Sequence, residues 1–184
     1  MLLALDTATK TVGLAIHDGS QVLAECTWRS QGHHSRELAP EVAMMLRRVG
    51  VQAPALTALA VSLGPGSFSG LRIGLALAKG MALAHNLPLI GIPTHDILAR
   101  IQPRREGPLL VVIEAGRGRV AALWYKWGRG GWKAQGQPEG LTWPELLGRI
   151  DRPVYLCGEV DPEQRRNLEG DPRVELAPPS ECVR

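Results

Sequence analysis

The stretch Ser62–Gly74, SLGPGSFSGLRIG, constrains the fold more than any other part of this chain. An apolar run, LTALAVSLG, leads into it, and a helical pattern from about Ser69 to His85 leaves it. The segment must therefore be a strand, a turn and a helix. Gly64, Gly66 and Gly70 permit close backbone approach and positive φ. Pro65 stiffens the turn, and Ser67 or Ser69 can cap the helix. Exposed N–H groups at such a helix start attract anions. The loop nevertheless lacks the Gly-Lys-Ser/Thr ending of a Walker A motif, since Lys79 comes about two helical turns too late. It does not match the G-x-G-x-x-G dinucleotide fingerprint either. Residue types alone leave two readings, a tight turn with no ligand and a phosphate cradle. Glycine-rich turns are common, which favours the first.

The helix that follows has two small ridges. Gly70, Gly74, Ala78 and Ala82 lie four apart, as do Ala76, Gly80 and Ala84. Each interior glycine forfeits ~1 kcal/mol of helix propensity against alanine, so the ridges signal close approach by neighbouring backbone. One ridge suffices against the chain's own sheet. Upstream, HSRELAPEVAMMLRRVG reads as a helix with Ser35 as N-cap and Gly50 as stop, beginning close to Pro40, which resists helix interiors. Leu38, Val42, Met45 and Val49 form one apolar stripe on it.

Composition limits the function classes. Hydrophobic residues make up 45% of the 184, enough to bury a core, and the formal charge of +3 falls short of a basic nucleic-acid binder. Cys26, Cys157 and Cys182 are odd in number and far apart, with no Cys-x-x-Cys, which fits reduced thiols and no zinc site. The opening MLLALDTATK lacks the basic flank of a signal peptide, and the apolar-rich segment Leu71–Leu83 carries Arg72 and Lys79. A cytoplasmic protein without a membrane segment is expected.

The order of elements predicts α/β architecture with mixed sheets. MLLALDTAT reads as a strand, and TVGLAIHDGSQVLAECTW as a hairpin turning at Asp18-Gly19. The helix of residues 35–49, the strand before the glycine loop, its helix, and the strand LPLIGIPT follow, then a short helix, HDILARI. The ribonuclease H-like fold starts this way. QPRREGP marks a break, giving a first lobe at 1–103 and a second at 104–184. In the second, LLVVIEAG and RVAALWYKW pair, RGGWKAQGQPEG is turn-like, TWPELLGRI is a helix capped by Thr142, and RPVYLCGEV is a strand. The tail LAPPSECVR has no clear element.

LALDTAT, HHSRELAP, AVSLGPGSFSGLRIGLALAKGMALAHNLPLIGI and VIEAGRGRVAALWY together resemble the bacterial TsaB family, also called YeaZ. The resemblance implies the actin/Hsp70-like ATPase fold, with two ribonuclease H-like lobes. It implies a non-catalytic partner of the paralogue TsaD, acting with the ATPase TsaE. Together they place threonylcarbamoyl on adenosine in tRNAs that read ANN codons. It further implies homodimerisation through the first-lobe helices, replaced by a similar contact with TsaD. His34, Leu38, Val42, Met45, Leu71, Gly74, Ala78 and Met81 are the expected interface, with Ala76 standing in if Ala78 faces the sheet. Gly64, Gly66, Ser67, Ser69 and Gly70 would form a vestigial phosphate loop.

The departures from the family pattern agree with that division. The catalytic paralogue carries His-x-x-x-His, two imidazoles one turn apart, whereas here Leu38 follows His34 by four. No metal, cofactor or catalytic residue is expected. Asp6, with Thr7 and Thr9, stands where nucleotide-using members of the fold make phosphate and magnesium contacts, and a turn-capping role is the favoured reading. Glu114-Ala115-Gly116-Arg117 replaces the frequent Asp-Ala-Arg, and the second lobe is expected to lack a final helix that packs back onto the first. Arg100, Arg104, Arg105, Arg117, Arg119, Lys126, Arg129 and Lys133, interleaved with Trp124, Trp127 and Trp132, read as a solvated face above packed tryptophans rather than a tRNA contact. Contact with tRNA would then be indirect. The alternative is an enzyme of the same fold, a nucleotide-dependent phosphotransferase or a metal-dependent glycoprotease-like protein.

Overall fold

The computed structural model describes residues 1–183. Alternation along the opening strands places one apolar face against helices. Strands β1 (Leu2–Asp6), β2 (Thr11–His17) and β3 (Val22–Arg29) form an antiparallel meander. Asp18 builds its turn, because its Oδ1 accepts the N–H groups of Ser20 and Gln21 at 2.7 and 2.8 Å. Those bonds hold the Asp18 carboxyl well below the usual carboxylate range. Strand β4 (Ala58–Ser62) returns parallel to β1, and β5 (Leu89–Ile92) parallel to β4. Parallel neighbours need crossovers, supplied by α1 (His34–Arg48) and α2 (Phe68–His85). The sheet order β3-β2-β1-β4-β5 is the ribonuclease H-like arrangement.

Helix α1 begins at His34, with His33 rather than Ser35 at the cap, and it carries Pro40 in its interior. Tertiary contact overrides the proline. Trp28 Nε1 donates to Glu37 Oε2 at 2.9 Å, tying the first turn to β3 and lowering the Glu37 carboxyl below its ordinary range. On its inner side, His34, Leu38, Val42, Met45 and Leu46 are buried. Leu38, Val42, Met45 and Leu46 share one core with Leu3, Leu5, Leu14 and Leu59 of the sheet.

Helix α3 (Thr94–Ile101) introduces the second unit. The chain divides into Met1–Thr94 and His95–Val183, nine residues earlier than the break expected at 103/104. The reason is packing: Leu98 and Ala99 of α3 are buried against Leu109, Val111 and Tyr125, so the helix before the Pro/Arg break belongs to the second sheet. That sheet contains β6 (Leu109–Glu114), β7 (Arg119–Gly128), β8 (Gly131–Ala134), β9 (Glu139–Thr142), β10 (Val154–Gly158) and β11 (Val174–Leu176). Its order is β11-β10-β6-β7-β8, and β9 pairs with β7. The other face is covered by α4 (Trp143–Gly148) and α5 (Pro162–Glu169), whose Leu146 and Leu168 are buried with Leu110, Val112 and Leu156. Thr142 caps α4 in a capping box with Glu145, as its position predicts.

The segment read as turn-like, RGGWKAQGQPEG, forms β8 and the first half of β9, because the exposed edge of β7 accepts both. Helix α5 had no expectation attached to it; Asp161 starts it by accepting N–H bonds from Glu163 and Gln164 at 2.9 Å. The tail holds the end of β11 and a 3-10 turn at Pro179–Cys182. No helix among the described residues is long and apolar enough to cross a membrane.

Leu38 is 1% exposed, so its role is core packing. Leu38→Ala is expected to destabilise the chain by about 2–5 kcal/mol. Urea unfolding measures this; an unchanged midpoint would return Leu38 to the surface.

Candidate functional site

The glycine loop joins β4 to α2 and lies against the end of β1. Ser67 is the N-cap of α2, and its hydroxyl accepts the Gly70 N–H at 3.2 Å. Ser69 lies in the first turn and is exposed. Gly64 has φ +98°, a conformation side chains resist, and precedes Pro65. The loop is tied to three places. Ser67 N–H donates to the Ala8 carbonyl at 2.5 Å, Leu63 N–H to Ile92, and Thr94 N–H to Gly64, the last two at 2.9 Å. Beneath them, Thr7 N–H donates to Ser62 Oγ at 3.2 Å.

Steric demand explains the glycines. A Cβ on Gly66 would overlap the Ala8 carbonyl, one on Gly70 the Thr7 carbonyl, and one on Gly74 the Thr7 side chain. The inner ridge of α2 is thus continuous with the loop, and both are seated on residues 7–8. A carbonyl oxygen stands at the Ser67 N–H, where an anion would need a donor free. Asp6 Oδ1 accepts the Ala8 N–H at 3.0 Å, which makes the carboxylate a turn cap. His34 is buried and donates from Nε2 to the Thr9 carbonyl at 3.2 Å. The described residues contain no group of three or more His, Cys, Asp or Glu side chains placed to share a metal. The Glu114 N–H donates to Glu159 Oε2 at 3.0 Å, within the second unit.

The expected interface is divided by the structure. His34, Leu38, Val42 and Met45 are buried under α1, and Gly74 and Ala78 under α2. These six face their own sheet, because a five-stranded sheet with one apolar face needs both helices to cover it. Leu71 and Met81 are half-buried. The surface that α2 leaves open is the other ridge, Ala76, Gly80 and Ala84, all exposed. Phe68 and Leu83 flank it at 67% and 87% exposure. The Arg72 guanidinium lies 3.6 Å from the centre of the Phe68 ring, holding that ring on the surface by a cation–π contact. Ile90 and Ile92 of the edge strand β5 are also exposed. Ala76, not Ala78, is therefore the outward position. The four-residue spacing could show two ridges, but only the seating of Gly70 and Gly74 on Thr7 tells inner from outer.

This arrangement matches known proteins. The sequence model of the TsaD family, tRNA N6-adenosine threonylcarbamoyltransferase, matches residues 22–136. The tRNA threonylcarbamoyladenosine biosynthesis protein TsaB of Escherichia coli (strain K12) is 33% identical over 161 residues, covering 86% of this chain and 68% of the relative. The chain belongs to the TsaB (YeaZ) family. The TsaB protein of Bacillus subtilis (strain 168) is 30% identical over 161 residues, covering 85% of this chain and 70% of its own length. The structure of YeaZ from Pseudomonas aeruginosa superposes with a TM-score of 0.75 at 27% identity, over 96% of this chain and 83% of that one. The fold is accordingly that of YeaZ, an α/β chain of two units each built on a mixed sheet, as the resemblance implies.

Gly66→Ala should lose at least the ~1–3 kcal/mol of an overpacked core, since its methyl would overlap backbone. Gly148→Ala, at the last turn of α4 with open space around it, should be tolerated. Denaturant melts of the two variants compare them directly, and equal stability would mean that the loop is not seated on Ala8.

Proposed function

We propose that this chain is a non-catalytic subunit of the machinery that forms threonylcarbamoyladenosine in tRNA, and that it docks TsaD through the outward face of α2. The observation that carries the reading is that face: a ridge of Ala76, Gly80 and Ala84 between Phe68 and Leu83, all exposed. Large apolar side chains at 67% and 87% exposure on one helix are what a partner surface leaves when the partner is absent. Small residues between them let a second helix approach closely.

The closed loop supports the non-catalytic part of the proposal. Its glycines are used up in contact with Thr7 and Ala8, and Asp6 is used as a turn cap. Leu38, where the catalytic paralogue would carry a second histidine, is in the core. Against the metalloenzyme alternative, the paralogue's second histidine is absent, and against the phosphotransferase, the Ser67 N–H at the helix start is already bonded to the Ala8 carbonyl. In this reading the chain is cytoplasmic, pairs with itself through the same α2 face when alone, exchanges that copy for TsaD, and joins TsaE in a larger complex.

Ala76→Trp is expected to convert the homodimer to a monomer by light scattering, and to abolish retention of TsaD in a pull-down, with an unchanged circular dichroism spectrum. Loss of only one of the two contacts would overturn the shared-surface mechanism. Calorimetry with ATP–Mg²⁺ and with Zn²⁺ on the same chain should give no heat of binding. Stoichiometric binding of either, lost on His34→Ala or Asp6→Asn, would favour an enzyme.

A further inference from the structure

The second unit holds a cleft of about 750 Å³ with no role in the reading above. Segments distant in sequence form it: the loop Arg104–Pro108, the end of β7 at Trp124–Trp127, Gln135, and the turn Arg149–Arg152. Its walls carry five cations, Arg104, Arg105, Lys126, Arg149 and Arg152, against two carboxylates, Glu106 and Asp151. That excess of three equals the formal excess of the whole chain, so the rest of the molecule is charge-balanced and the cleft holds the imbalance. The cations are not equally engaged. Arg149 pairs with Glu139 at 2.7 Å, Arg152 with Asp151 at 3.2 Å, and Arg105 with Glu175 at 3.9 Å. Arg104 and Lys126 are exposed and make no ion pair among the described residues. Trp124, two residues from Lys126 and so on the same face of β7, supplies aromatic surface in the cleft, whereas Trp127 borders it from the opposite face, braced edge-on by Trp132 at 5.2 Å between ring centres.

We propose that this cleft binds a nucleoside phosphate, its base packed on the tryptophan surface and its phosphate held by Arg104 and Lys126. Unpaired cations beside indole rings meet the two halves of such a ligand, charge and π-face, and the volume suits one nucleotide. The ligand is either a free nucleotide or one nucleotide of a single-stranded RNA segment; the phosphate and base chemistry is shared. The proposal rests on the cleft alone and stands whether or not α2 docks TsaD.

Tryptophan emission of the full chain is titrated with AMP, with a short unstructured oligoribonucleotide and with inorganic phosphate. Quenching that saturates with AMP or the oligonucleotide is expected, and its absence with both overturns the proposal. Competition by AMP marks the free nucleotide as the source; quenching by the oligonucleotide alone marks RNA. Quenching by inorganic phosphate equal to that by AMP also overturns it, because the base would then contribute nothing. Arg104→Glu with Lys126→Glu should weaken binding by about tenfold or more and flatten the oligonucleotide's log–log salt dependence by about 1.4. Arg129→Glu with Arg166→Glu, an equal charge change outside the cleft, should leave binding within about twofold. Equal losses in the two double variants would reduce the effect to net charge and overturn the site. Should the charge-reversed chain fail to fold, Arg104→Gln with Lys126→Gln is the replacement, and Trp124→Phe should lose quenching amplitude in either case.

Discussion

The seating of the Gly64–Gly70 loop on the carbonyls of Thr7 and Ala8 is the contact on which the first unit depends. It closes three elements at one point. Strand β1 ends there, β4 enters there, and α2 leaves from there, with Ser67 N–H on Ala8 and Thr7 N–H on Ser62. The contact admits no side chain at Gly66, Gly70 or Gly74. Two of these glycines lie within a helix, where each forfeits about 1 kcal/mol of propensity. The loss is offset by the close approach it permits, which brings Ala78 to complete burial over the sheet. A loop that resembles a phosphate cradle in composition thereby also serves as a structural joint, with its Ser67 N–H bonded to the Ala8 carbonyl and its Gly64 carbonyl to the Thr94 N–H.

That joint also decides which side of α2 faces outward. A helix whose first two turns are pinned to Thr7 through Gly70 and Gly74 cannot rotate. Its second ridge, Ala76, Gly80 and Ala84, is left on the surface by elimination. The same logic removes α1 from the surface: its apolar stripe is needed over β1 and β2, and Leu38, Val42 and Met45 are spent there.

Much of this was legible in the residues, and the remainder was hidden for identifiable reasons. The five strands and two crossover helices of the first unit follow from alternation, the Asp18-Gly19 turn and the small ridges. The Thr142 cap follows from its place at the start of TWPELLGRI. Pro40 blurs the start of α1 in the sequence, whereas the Trp28–Glu37 tie that holds its first turn is a contact between elements that no local pattern reveals. Strands β8 and β9 look like turns because they are short and glycine-rich, and exist because β7 offers an edge. The basic residues of the second unit read as scattered surface for a related reason. Arg104, Lys126 and Arg152 are separated by more than a strand length each, and only the sheet brings their segments to one cleft.

The outward ridge of α2 is also suited to binding by what it lacks. Side chains that must be immobilised at an interface oppose association through lost rotamer freedom, about 0.5–1.5 kcal/mol for each rotamer-rich one. Alanine and glycine lose none. Ala76, Gly80 and Ala84 of the ridge are such residues, and of the two long side chains exposed beside them, Arg72 and Lys79, Arg72 is already held against the Phe68 ring. The backbone beneath is fixed by the joint at Thr7–Ala8, so the surface is ordered before any partner arrives. Its apolar area then contributes to binding with little entropic opposition. A ridge of lysine and glutamate at the same positions would have to be both desolvated and ordered. The composition that makes α2 a poor helix in isolation makes it, once seated, a preorganised one.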